Sequence, residues 1–129
     1  MERKIIISGA NGFVGSHICE VAIKNGFDVC AIVRKRSDLT YLNNLPIQLI
    51  EVSSISPMEL GRAFRDYKEK NGEPDFFIHN AGLTKAKRAD DFTKVNVNLT
   101  SYFIEAIKHS FPTLKKMVYM SSLAAHGPG

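Results

Sequence analysis

The sequence predicts an α/β domain built on a doubly wound parallel sheet, with about five strands in the order 3-2-1-4-5. Short apolar runs alternate with segments of helical periodicity along the whole chain, the pattern of β-α-β units. The first run, Ile5-Ile6-Ile7, is β-branched and unbroken by polar residues, as suits a central strand covered on both faces. Directly after it come Gly9, Gly12 and Gly15, and then a helical pattern, so Lys4 to Asn25 forms a strand–turn–helix unit around which the rest is arranged.

That unit suits the binding of a dinucleotide pyrophosphate. Gly9 allows a tight exit from the strand, Gly12 lets the backbone approach phosphates with no Cβ in the way, and Gly15 lets the helix pack close to the sheet. The helix start supplies N–H groups and the positive end of a dipole to an anion. Glycines at this spacing also mark ordinary turns, and the strand-to-helix context is what favours the binding reading. Val14, Ile18, Val21 and Ala22 recur at helical spacing and are expected to form the buried face of this first helix.

Asn25-Gly26 reads as the helix end and Phe27 to Val33 as the second strand. The residue after that strand selects the cofactor: an acid there holds the ribose hydroxyls of NAD, and a base accommodates the 2′-phosphate of NADP. The chain has Arg34, Lys35 and Arg36, with no acid until Asp38, so it leans to NADP. The alternatives are a solvated cationic loop or Asp38 turning toward the ribose. Leu39 to Leu45 forms a short amphipathic connector before Pro46, and Ile47 to Val52 is the third strand.

Ser56-Pro57-Met58-Glu59 is a helix start, with Ser at the N-cap, Pro in the first turn and Glu three residues after the cap. Leu60, Phe64 and Tyr67 supply the apolar face of this helix, which ends at Asn71-Gly72. Asp75 to His79 is the fourth strand, with Asn80-Ala81-Gly82 in a loop behind it. His79, beside an apolar run, is expected to be a buried structural histidine. A long helix begins near Asp90 and Asp91, with Phe92, Val95, Leu99, Phe103 and Ala106 on one face, and stops before Pro112. Lys116 to Met120 is the fifth strand.

The 129 residues amount to one domain with a core of ordinary size, at 44% apolar and 23% charged content. No apolar stretch approaches the roughly 18 residues of a membrane helix, no leader pattern precedes the first strand, and no membrane partner is expected. Cys19 and Cys30 form no metal or redox motif, and no metal site is expected; they read as core thiols of a cytoplasmic protein. The net charge of +4 is concentrated at Arg34 to Arg36 and at Lys85, Lys87 and Arg88, both just after predicted strands. An anionic nucleotide at the carboxyl edge of the sheet explains these clusters better than nucleic acid, for which no reading helix or interleaved aromatics are present.

These residues together resemble the amino-terminal half of an extended short-chain dehydrogenase/reductase, the NAD(P)-dependent epimerase/dehydratase group. The resemblance rests on SGANGFVG at 8–15, VR at 33–34, IHNAG at 78–82, VNVNLT at 95–100 and VYMSSLAAHG at 118–127. It implies a Rossmann-type sheet over residues 1–129, truncated before a substrate domain. It implies that Gly9, Asn11, Gly12, Phe13, Val14 and Gly15 surround the pyrophosphate and that Arg34 meets the adenosine phosphate. Asn80, Ala81 and Gly82 then face the adenine-side ribose and diphosphate, and Ser122 is the catalytic serine that hydrogen-bonds the substrate oxygen. Asn96 matches the family's helix asparagine, a structural residue.

The chain departs from the family pattern in two places. Val52-Ser53-Ser54 stands where the family carries an adenine-binding acid near the third strand's end, and Ser53 replaces only part of that hydrogen bonding. No Y-x-x-x-K follows Ser122, and Tyr41, Tyr67, Tyr102 and Tyr119 precede it or lie in core-like settings. The expectation is therefore the cofactor-binding portion of a larger enzyme that transfers hydride between a nicotinamide dinucleotide and a small molecule, possibilities including a nucleotide sugar. The alternative is a non-enzymatic module that senses NADP(H) or binds a partner. Under either reading an open fifth strand predicts self-association into a homo-oligomer.

Overall fold

The computed structural model describes residues 3–10, 12–35, 38–53, 56–80 and 101–120. In chain order they form β1 (Arg3–Ser8), α1 (Phe13–Lys24), β2 (Phe27–Arg34), β3 (Gln48–Val52), α2 (Pro57–Asn71) and β4 (Phe76–Asn80), then helical backbone over 101–110 (α3) and β5 (Lys116–Met120). The five strands lie in the order β3-β2-β1-β4-β5, and every neighbouring pair is parallel.

Alternation along the central strands assigns each residue to one of two cores. Ile5 and Ile7 of β1 join Val29, Ala31 and Val33 of β2 on the face covered by Cys19 and Ala22 of α1. Ile6, Cys30, Ile32 and Phe77 point the other way, where Leu60, Phe64 and Tyr67 of α2 meet Phe103 and Ile107 of α3. Phe64 is the centre of that second core, with ring centroids 5.7 Å from Phe77 and 5.1 Å from Phe111. Helices on both faces account for the unbroken apolar runs in β1 and β2.

The expected start of α2 is present in full. Ser56 is the N-cap, its Oγ accepts the Glu59 N–H at 3.3 Å, and Pro57 opens the helix. Gly72 closes it with φ of +80°, in the left-handed region that favours glycine. At the amino edge of the sheet, Asp75 fixes the entry of two strands: its Oδ2 accepts the Lys4 N–H at 2.9 Å, and its carboxylate pairs with Lys115 Nζ at 3.4 Å.

The buried face of α1 differs from the expected one. Ala22 is buried and Ile18 packs on the core as expected, but Val14 and Val21 are 55% and 47% exposed, and the helix buries Gly15, Ser16 and Cys19 in their place. The contact at Gly15 sets this rotation: the helix is seated on the glycine turn, and that seating turns both valines outward. The fourth strand also runs one residue further than expected, because Asn80 pairs with Met120 as its last residue.

Candidate functional site

The carboxyl ends of β1 and β4 meet the start of α1 in one tight junction. Gly9 takes φ of +64°, and a Cβ there would lie 2.1 Å from the backbone oxygen of Asn80. A Cβ on Gly15 would lie 2.3 Å from the Gly9 carbonyl oxygen and 2.7 Å from Ala10 Cα. The Asn80 Nδ2 donates to that same Gly9 carbonyl at 3.1 Å. Gly9, Gly15 and Asn80 therefore lock together, and two of the three glycines are required by backbone packing alone.

Gly12 is different. Its φ of −81° and ψ of 175° are open to any residue, and a Cβ added there would meet none of the described residues within 4 Å. It is the N-cap of α1, yet it brings no side chain to cap the helix, and the first turn holds no acidic residue. By helix geometry the N–H groups of Phe13, Val14 and Gly15 have no acceptor within the helix. The Ser16 N–H is the first to close a turn, on the Gly12 carbonyl at 2.9 Å. The result is a helix start that no described residue crowds at Gly12, with the positive end of its dipole directed outward there.

Beneath the turn, Ser8 Oγ and His79 Nδ1 are hydrogen-bonded at 2.6 Å, tying the end of β1 to β4. His79 is 4% exposed, and its ring lies 4.5 Å from that of Phe103. Burial pushes its pKa down to about 4, so it is neutral at neutral pH and brings no charge to an anion. The histidine is buried and hydrogen-bonded, as expected. Cys19 and Cys30 are buried free thiols, raised by burial to about 11 and about 12, and so are not reactive thiolates.

At the next strand end, Arg34 is exposed as the last residue of β2, and the following Lys35 N–H donates to the Val52 carbonyl at 2.9 Å. Asp38 is already engaged: its carboxylate accepts the Thr40 hydroxyl and the Thr40 N–H, which hold its pKa below the usual carboxylate range. The Ser53 N–H points to Glu59 Oε2 at 3.4 Å, and Glu59 in turn pairs with Arg62 at 2.9 Å. A carboxylate thus stands beside the end of β3, contributed by α2.

Gly9, Gly12, Phe13, Val14, Gly15 and Asn80 are gathered at one sheet edge, with Arg34 at the end of the adjacent strand. Asn11, Ala81, Gly82 and Ser122 lie outside the described residues, as do Asn96 and the cluster Lys85, Lys87 and Arg88. One contact escaped the sequence reading: the rings of Phe13 and Tyr41 meet edge to face, 5.9 Å between centroids. Tyr41 is 53% exposed, and no periodicity in its connector marks it. Among the described residues no group of three or more His, Cys, Asp or Glu gathers as a metal set, and no helix is long and apolar enough to cross a membrane.

Comparison with known proteins agrees with this arrangement. A ceramide reductase of Caulobacter vibrioides is 27% identical over 124 residues, covering 96% of this chain and 36% of that protein. A dTDP-D-glucose 4,6-dehydratase of Dictyostelium discoideum is 32% identical over 138 residues, covering 98% of this chain and 30% of its own length. The crystal structure of the yeast methylglyoxal/isovaleraldehyde reductase Gre2, complexed with NADPH, superposes with a TM-score of 0.73 at 22% identity, over 95% of this chain and 38% of that one. The chain spans about a third of the length of the curated relatives it matches. Residues 5–129, from the first buried strand through all five motifs, match the model of the NAD dependent epimerase/dehydratase family, and the chain belongs to that family.

Proposed function

We propose that the chain is the cofactor-binding portion of an NAD(P)-dependent epimerase, dehydratase or reductase, with its pyrophosphate site at the start of α1. The observation that carries this reading is Gly12. Neither its backbone angles nor its neighbours among the described residues require glycine, while Gly9 and Gly15 are required by packing. A position free of a Cβ at an uncapped helix start lets an anion approach the backbone N–H groups, and that supports a phosphate there.

The residues present fit a nicotinamide dinucleotide. Phe13, Val14 and Gly15 offer N–H groups to its phosphates, and Asn11, Ala81 and Gly82 are assigned beside it from the family motifs. Arg34 is the exposed cation for a 2′-phosphate. Asp38, the acid nearest to it in sequence, holds Thr40 through Oδ1, and the preference for NADP over NAD rests on Arg34. When bound, the dinucleotide supplies a hydride donor or acceptor. Ser122 then holds the substrate oxygen, and the tyrosine and lysine that move the proton belong to residues this chain does not contain. The substrate is a small hydroxyl or ketone compound, and the name of the Dictyostelium relative supports a nucleotide sugar as one candidate. The two free core thiols support a reducing, cytoplasmic setting.

Calorimetric titration of the full chain with NADPH and NADH tests the proposal. Saturable binding of both, tighter for NADPH, is the expected result. Binding of neither overturns the reading, and equal affinity removes the argument from Arg34.

A further inference from the structure

Two aromatic rings stand outside both cores beside the glycine turn. Phe13, the first residue of α1, is 71% exposed, and Tyr41 is 53% exposed against it, the two rings inclined at 80°. The backbone that carries Tyr41 is firmly held. Leu42 is buried, and Leu39 and Leu45 pack on the same core as α1. The Leu42 and Asn43 N–H groups donate to the Leu39 carbonyl at 2.9 and 3.0 Å, the Leu45 N–H donates to the Leu42 carbonyl at 3.1 Å, and Thr40 is tied to Asp38. A fixed turn thus holds a half-exposed ring out of the core, next to the residue that follows Gly12.

A ring held in this way is a ready wall for the flat or apolar side of a ligand, because its surface is presented without an ordering cost at binding. The wall has a definite place. Through its contact with Phe13 it stands beside the residue that follows Gly12, and it lies on the connector that leaves β2 after Arg34. We propose that Tyr41 contacts the cofactor, its ring walling the adenosine end of the dinucleotide whose phosphates sit at Gly12. This rests on the dinucleotide reading above. It divides the labour between two residues: Arg34 discriminates the 2′-phosphate, and Tyr41 contributes affinity common to both dinucleotides through its ring, not its hydroxyl.

The test is calorimetric titration of the full chain with NADPH and NADH. Tyr41→Ala weakens both by about tenfold, the scale of one lost aromatic contact to a nucleoside, and leaves their ratio unchanged. Tyr41→Phe binds both as the unsubstituted chain does. A Tyr41→Ala chain that binds both dinucleotides undiminished overturns the assignment, and so does one weakened for NADPH alone. A second measurement needs no substitution: tetranitromethane nitration of the unsubstituted chain, read by peptide mapping. Tyr41 is nitrated in the free chain and protected by saturating NADPH or NADH. Equal nitration with a dinucleotide bound overturns the role of Tyr41 and leaves the site at Gly12 standing, whereas a chain that binds neither dinucleotide overturns both.

Discussion

Replacing Gly12 by Ser separates what the glycine does for the fold from what it does for a ligand. The backbone at Gly12 is already extended and a Cβ there meets none of the described residues within 4 Å, so the side chain enters without strain. Ser is a better N-cap than Gly by a few tenths of a kcal/mol. It also restricts the unfolded chain, a gain of about 0.4–1 kcal/mol for comparable glycine replacements. Together these raise the melting temperature by about 2–5 °C in a domain of this size. The same Cβ stands where a phosphate must approach the N–H groups of α1. Losing two charge-assisted hydrogen bonds at about 1.5–3 kcal/mol each weakens dinucleotide binding by at least about a hundredfold. Gly15→Ala is the contrasting variant: its Cβ would press on the backbone of Gly9 and Ala10 at 2.3 and 2.7 Å, a cost of about 1–3 kcal/mol or more. Thermal melts and calorimetric titration of both variants provide the readout. A Gly12→Ser chain that is folded and binds NADPH as tightly as the unsubstituted chain refutes the argument from Gly12.

Three further outcomes follow from the same geometry. Arg34→Ala reduces the preference for NADPH over NADH by about tenfold to a hundredfold, the worth of one charge-assisted contact, and titration with each dinucleotide reads it; an unchanged ratio places the 2′-phosphate elsewhere. Phe64→Ala opens a cavity among Phe77, Phe103 and Phe111 and costs about 3–5 kcal/mol in urea unfolding, so a loss below 1 kcal/mol contradicts the packing. His79 has a folded pKa of about 4 against an ordinary 6.5, so below pH 6.5 the unfolded chain takes up a proton that the folded chain refuses. Its contribution is fully present above pH 6.5 and declines as the pH falls toward 4, by up to about 3 kcal/mol. Urea unfolding across this range shows the slope, and a chain carrying His79→Gln shows less of it.

Much of the fold was legible because its signals are local. Each strand announced itself as an apolar run between turn residues, and the start of α2 was written in Ser56-Pro57-Met58-Glu59. The two-sided burial of β1 followed from three consecutive isoleucines. What was not legible depended on contacts between distant segments. The rotation of α1 is set by Gly15 against Gly9 and Ala10, which outweighs the apolar spacing of Val14 and Val21. The end of β4 is set by pairing with β5, which makes Asn80 a strand residue whose amide holds the Gly9 carbonyl. The glycine triplet was legible as a motif, but only the structure distinguishes two packing glycines from one that leaves space. The meeting of Tyr41 with Phe13 joins a connector to a helix start 28 positions earlier in the chain, and no pattern within either segment foretells it.

The most direct test of the central claim is to follow the backbone amides of the 15N-labelled chain while NADPH is added. The account predicts that the largest shifts fall on Gly12, Phe13, Val14 and Gly15, with Arg34 responding to NADPH more than to NADH. Saturable binding that leaves the amides of 12–15 unmoved, or no binding at all, contradicts it.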